Sequence, residues 1–203
     1  MQRDAPSTGN AATRAFFGPR AADWETRFPD DAPSYRQAVA ELGPPAGGRV
    51  ADIGCGTGRA LPELRAAVGS GGVVLGVDLT PEMLAEAVRL GRAGLAALVL
   101  ADATRLPLPD ATLDAVFAAG LVTHLPDAVA GLAEFRRVCR SGGRLALFHP
   151  VGRVALARRQ GRTLSPDEPR APHRIRDALA RAGWRCLSVD DADDRYLVLA
   201  ERT

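Results

Sequence analysis

Apolar residues in this chain fall into short blocks separated by stretches with helical spacing. Residues 50–53 and 73–77 are compact apolar runs, and between them Leu61, Leu64 and Val68 mark one face of a helix. Pro62 belongs to the first turn of that helix, where its missing N–H is tolerated. After the second run Thr80 is placed to cap and Pro81 to start another helix, with Met83, Ala87 and Leu90 on one face. Residues 95–100 and 113–118 read as third and fourth strands. Pro126 opens a helix carrying Val129, Leu132, Phe135 and Val138, which Gly142 and Gly143 are expected to stop before a fifth strand over 145–148. Strands alternating with helices predict a parallel sheet with crossover helices, an α/β fold. The end departs from that rhythm. A helix over 174–182 stops at Gly183, and residues 184–189 and 196–200 then alternate like a hairpin around the acidic stretch 190–194.

The first ten residues read as a loose tail. Residues 11–42 hold Phe16, Phe17, Trp24, Phe28 and Tyr35, half of the chain's aromatics, and a helix from 30–34 through Leu42 ends at Gly43-Pro44-Pro45. Trp24 and Phe28 would share a helical face.

At 203 residues, with 46% hydrophobic and 25% charged residues, the chain suits one domain spanning 1–203 with a full core. A net charge of +2 is too small to argue for nucleic acid. Every basic residue is Arg, which removes lysine as a base or Schiff-base former. Cys55, Cys139 and Cys186 are odd in number and lack C-x-x-C spacing, so a reducing compartment fits better than disulfides or a zinc site. No apolar run reaches membrane-span length and the first residues lack a signal pattern, so the cytoplasm is expected. Residues 153–181 are crowded with Arg, including Arg153, Arg159, Arg162 and Arg170. They read either as a solvated surface or as a basic rim attracting an anionic substrate.

The candidate chemistry centres on Val50-Ala51-Asp52-Ile53-Gly54-Cys55-Gly56-Thr57-Gly58, a strand running into alternate glycines with a helix behind. Glycine lets backbone turn sharply and approach a ligand, and the helix start offers unpaired N–H groups. G-x-G alone also serves dinucleotide enzymes and plain turns. Asp52 beside the turn repels a pyrophosphate but suits a cationic amine or sulfonium. Asp78, ending the next strand, lies 20 residues past Gly58 (78 − 58), the place of an acid that grips a ribose diol.

These residues resemble the core of class I S-adenosylmethionine (SAM)-dependent methyltransferases, close to the broad small-molecule group. Residues 50–58 resemble the family's first motif, and Gly76-Val77-Asp78-Leu79-Thr80-Pro81-Glu82-Met83-Leu84 its second strand and following helix. Ala101-Asp102-Ala103 with Leu106-Pro107-Leu108-Pro109-Asp110 resembles the adenine-side loop, and Ser141-Gly142-Gly143-Arg144-Leu145 the turn before strand five. The resemblance covers about residues 48–150. It implies a Rossmann-like, seven-stranded, mostly parallel sheet with the last strand antiparallel and helices on both faces. It divides the chain into an N-terminal helical cap (1–45), a SAM-binding core (46–150) and a variable segment with terminal hairpin (151–203). The aromatic N-terminal segment would close over cofactor and substrate, or else pack on the sheet edge.

By the same resemblance Gly54, Gly56 and Gly58 cradle the cofactor, and Asp52 orders that loop or a water near its amino group. Asp78 chelates the ribose hydroxyls, with Leu79 and Met83 beside the adenine. Asp102 accepts from the exocyclic amine, Ala103 gives a backbone contact, and Ala119 and Gly120 face the methionine part. His124 and His149, at the carboxyl ends of strands four and five, are the candidate catalytic bases; His173 is expected at the surface. No metal is expected, because Ala119 and Gly120 follow strand four where metal-assisted relatives carry acids. The Asn/Asp-Pro-Pro-aromatic motif of base methylation is absent, which argues against DNA. The expected partner is a small-molecule acceptor, away from any membrane, bound by a monomer or homodimer. An RNA- or protein-directed enzyme and a SAM-binding protein without transfer activity are the rivals.

Overall fold

The computed structural model describes residues 9–27 and 31–203. Phe28, and with it the face expected to be shared with Trp24, lies outside the described residues, as does most of the tail. Seven strands form one sheet: β1 (Arg49–Ile53), β2 (Val73–Asp78), β3 (Ala97–Leu100), β4 (Leu113–Ala119), β5 (Cys139–His149), β6 (Trp184–Ala192) and β7 (Arg195–Arg202). Their order is β3-β2-β1-β4-β5-β7-β6. Neighbours among the first five pair in parallel, and β7 runs antiparallel to both β5 and β6. Chain order reverses between β1 and β4, so the crevice at their carboxyl ends is where an open α/β sheet takes a ligand.

Alternation along the strands feeds two buried faces, because successive side chains point to opposite sides of a sheet. Val116, Leu145, Leu147 and Tyr196 pack with α6 (Ala128–Val138) and α8 (Pro172–Arg181), through Leu132, Phe135, Ile175 and Leu179. Phe117, Ala146, Phe148 and Leu197 pack with α3 (Ala32–Leu42) and α4 (Leu61–Val68), through Tyr35, Leu42, Leu61 and Leu64. The Trp184 indole donates to the Leu132 carbonyl at 2.8 Å, tying the terminal hairpin to α6.

Several local expectations are corrected. The glycine pair does not stop α6. The helix ends at Val138, Cys139 is already extended, and Gly142 (φ +73°) and Gly143 lie inside β5. The register with β4 shifts there, and a Cβ on Gly143 would stand 2.5 Å from the Cys139 sulfur, so the pair permits a bulge. Pro126 precedes α6 rather than opening it; the Asp127 carboxylate accepts from the backbone N–H groups of Val129 and Ala130. Thr80 holds the cap position of α5 (Pro81–Arg89) without a side-chain cap bond, and Leu90 is exposed beyond its end. β3 starts at Ala97, two residues later than expected.

The arginine-rich segment is not simply a solvated surface. Arg153, at the start of α7 (Arg153–Gln160), and Arg162 and Arg170, between α7 and α8, all lie within 4 Å of the buried Glu168 carboxylate. The Tyr196 hydroxyl donates to the Arg170 carbonyl at 3.0 Å, fastening this segment to β7.

Candidate active site

A cleft of about 660 Å³ opens at the carboxyl ends of β1 and β4, a size suited to small-molecule ligands. Its floor is the glycine turn. Gly54 (φ +73°) and Gly56 (φ +54°) adopt left-handed backbone that other residues rarely take, and the Gly54 and Cys55 N–H groups both donate to the Val77 carbonyl. A Cβ on Gly54 would come within 2.9 Å of Leu121, whereas at Gly56 the nearest atom is the Met83 sulfur at 3.9 Å. The turn is therefore closed on one side and open toward the cleft at Gly56.

Asp52 and Asp78 both line this cleft. Asp52 is 2% exposed, and its Oδ1 is buried with no hydrogen-bond partner. Burial first, then the neighbouring Asp78 charge, pushes its carboxyl up to about 8, against the opposing pull of Arg92. Asp78 is better satisfied. Its Oδ2 accepts from the Gly56 N–H at 2.7 Å and its Oδ1 from the Thr80 N–H at 2.8 Å. Burial still raises its pKa, with those bonds opposing.

Leu79, Met83, Ala101, Asp102 and Ala103 form one side of the cleft. Asp102 accepts from the Thr104 backbone and hydroxyl, both at 2.8 Å, and from the Asn10 amide at 2.7 Å. Burial would raise its pKa, but these bonds outweigh burial and hold it below the usual carboxylate range. Asn10 belongs to α1 (Gly9–Phe17), which also places Arg14 Nε 3.0 Å from the Leu79 carbonyl. From α1 and α2 (Trp24–Arg27), Phe16, Phe17 and Trp24 line the cleft, with Phe17 edge-on to Trp24 and to His124. These three line the cleft, and Tyr35, which lines it as well, packs on Phe148 and Phe117 in the core. Glu25 of α2 fastens this cover to the glycine turn. It accepts from the Thr57 hydroxyl at 2.5 Å and from both Arg92 terminal nitrogens, and Arg92 also donates to the Thr57 carbonyl. Burial opposes ionisation of Glu25, yet the bonds from Arg92 and Thr57 win and keep it below the usual range.

Ala119, Gly120, His124 and His149 stand on the other side, with Pro150, Val151, Leu156, Arg159, Gln160 and Arg170. His149 Nδ1 lies 2.7 Å from the Val151 carbonyl and 3.1 Å from its N–H. His173 is exposed on α8, apart from the cleft. Thus every residue picked out as a cofactor contact or base, apart from Gly58 in the turn just behind, lines one cavity.

Residues 51–147 match the methyltransferase domain family. A phosphatidylethanolamine N-methyltransferase of Cereibacter sphaeroides is 33% identical over 148 residues, which cover 71% of this chain and 70% of that protein. The chain belongs to the class I SAM-dependent methyltransferases. An aklanonic acid methyltransferase from a Streptomyces species is 39% identical over 126 residues, 60% of this chain but only 57% of that protein. Fold likeness extends further: a SAM-dependent methyltransferase from Aquifex aeolicus superposes with a TM-score of 0.71 at 23% identity, covering 97% of this chain and all of that one.

For a methyltransferase of this class, sequence reasoning missed the parts of the cleft outside the motifs. Glu25 and Arg92, which brace the glycine turn, and Leu156, Arg159, Gln160 and Arg170, which wall its far side, carry no spacing signal. The crowding of arginine in 153–181 was the one visible trace of the latter group. Among the described residues no group of three His, Cys, Asp or Glu side chains is arranged to hold a metal ion, and no helix is long and apolar enough to cross a membrane.

Proposed function

We propose that this protein transfers a methyl group from SAM to a small-molecule acceptor, without a metal, by in-line displacement. The observation that carries the reading is Asp52: a carboxylate almost wholly out of water, with one oxygen unpartnered, beside a turn open toward the cleft. Once ionised, such a group repels phosphate and draws a cation, and SAM carries both an amine and a sulfonium. The other residues fit the same ligand. Gly54, Gly56 and Gly58 supply the backbone cradle. Each Asp78 oxygen has accepted one backbone N–H and retains a lone pair for a ribose hydroxyl. Leu79 and Met83 would flank the adenine, Asp102 would take its exocyclic amine with Ala103 beside it, and Ala119 and Gly120 would border the methionine part.

When bound, SAM supplies an already activated methyl group, so the protein is left with positioning, water exclusion and any proton removal. Phe16, Phe17 and Trp24, which line the cleft, would shield the methyl group from water. His149, whose Nδ1 meets both the carbonyl and the N–H of Val151, is the first candidate base. His124, edge-on to Phe17, is the second candidate. A cavity of about 660 Å³ favours a small acceptor over RNA or protein. Relatives named for aklanonic acid and demethylmenaquinone point the same way. Alanine and glycine at the end of β4 support the metal-free reading. Three free cysteines support a cytoplasmic setting.

Incubation with isotope-labelled SAM and a metabolite extract, followed by mass spectrometry, tests this. Label should move into a low-mass product only when the protein is present. Label recovered on RNA or protein, or cofactor binding with no labelled product, would replace this reading with one of its rivals.

A further inference from the structure

The adenine side of the cleft is bordered by a helix from outside the motif-bearing core. α1 sets Asn10, Thr13, Phe16 and Phe17 along the cleft, at the three- and four-residue spacing of one helical face. Both ends of the helix are seated on the adenine wall. Near its start Asn10 Nδ2 donates to Asp102 Oδ2 at 2.7 Å, and Arg14 Nε, one turn on, donates to the Leu79 carbonyl at 3.0 Å. Just past its end a Cβ on Gly18 would stand 3.1 Å from a Glu82 carboxylate oxygen, so glycine lets the chain close on α5.

The bonding at Asp102 fixes how the Asn10 amide is turned. Burial opposes ionisation of Asp102, but the bonds from Thr104 and Asn10 outweigh it and hold the pKa below the usual range. The carboxylate is therefore ionised at neutral pH and can only accept. The Asn10 nitrogen is the atom that must face it, which leaves the amide carbonyl oxygen turned away from the carboxylate. That oxygen has no hydrogen-bond partner among the described residues, and Asn10 is exposed along the cleft. Asp102 Oδ1 already accepts twice, whereas Oδ2 has accepted only from Asn10 and retains a lone pair. A carboxylate oxygen and an amide carbonyl are thus joined through the Asn10 nitrogen, each with room to accept. An amino group, with two N–H donors, completes this pair. A ring carbonyl in its place would meet two acceptors.

We infer that Asn10 is a specificity-determining residue for the cofactor's base: its carbonyl accepts one N–H of the adenine amine while Asp102 Oδ2 accepts the other. The inference rests on the SAM-binding reading of this cleft. Its test is calorimetric titration of S-adenosylhomocysteine and of S-inosylhomocysteine, which carries a ring carbonyl in place of the amine. Wild type, Asn10→Ala and Arg14→Ala are compared. Wild type should prefer the adenosyl ligand by about a hundredfold, roughly tenfold for each acceptor. Asn10→Ala should cut that preference about tenfold. Arg14 lies off the cleft, so Arg14→Ala removes only the second tether of α1; it should weaken both ligands alike and keep the preference. A preference in Asn10→Ala equal to that of wild type, or an equal fall in Arg14→Ala, would reduce Asn10 to a tether of the helix and overturn the inference. Wild type binding both ligands equally overturns it together with the adenine role of Asp102. Failure of the wild type to bind S-adenosylhomocysteine overturns the cofactor reading beneath both.

Discussion

Asp52 is buried with one oxygen unpartnered, a state that a bound proton or a cationic ligand relieves. Its folded pKa of about 8 exceeds that of a free carboxyl, so the folded protein binds a proton there that the unfolded chain has shed. Stability from this group is therefore greatest below the unfolded pKa and declines as pH rises toward 8. Two outcomes follow at this residue. SAM binding at pH 7 should expel part of a proton, seen as binding heats that differ between buffers of different ionisation enthalpy, and affinity should rise from pH 6 to 7.5. Asp52→Asn should lose that proton release and bind SAM more weakly, yet melt at a higher temperature than wild type at pH 8, with the gap narrowing toward pH 5. Buffer-independent heats would show that Asp52 does not meet the cation.

Among the elements, α2 is only four residues long, yet its Glu25 joins the cover of the cleft to the glycine turn through Thr57 and Arg92. Glu25→Gln keeps the shape but removes the charge that both bonds and ion pairs depend on. It should weaken SAM binding severalfold, measured by calorimetric titration. Unchanged affinity would reduce Glu25 to a surface contact. The core elements around this strap were legible in the chain because their signals are local: an apolar run, a glycine turn and a helical stripe succeed one another within about thirty residues. Gly142 and Gly143 misled because glycine serves a helix end and a bulge equally well, and only the facing strand decides between them. Leu90 failed for a related reason, since the helical period runs on in the sequence after α5 has stopped at Arg89.

For the whole molecule, the sheet order and the gathering of Asp52, Asp78, Asp102, His124 and His149 around one cleft follow from motifs at strand ends. What was illegible is built from long-range polar contacts. Asn10 reaches Asp102 across 92 residues, and Arg195 reaches Glu41 across 154, tying the terminal hairpin to α3. Sequence spacing carries no trace of such pairs, nor of the gathering of Arg153, Arg162 and Arg170 around Glu168. In the reading proposed above, the strand tips select the cofactor, and the long-range contacts shape what surrounds it. Calorimetric titration of SAM into wild type and Asp78→Ala tests that division most directly. Saturable one-site binding by the wild type, weakened by about 1–3 kcal/mol in the variant through lost charge-assisted hydrogen bonds, is the predicted result; equal affinity in the two proteins, or no binding to either, would contradict it.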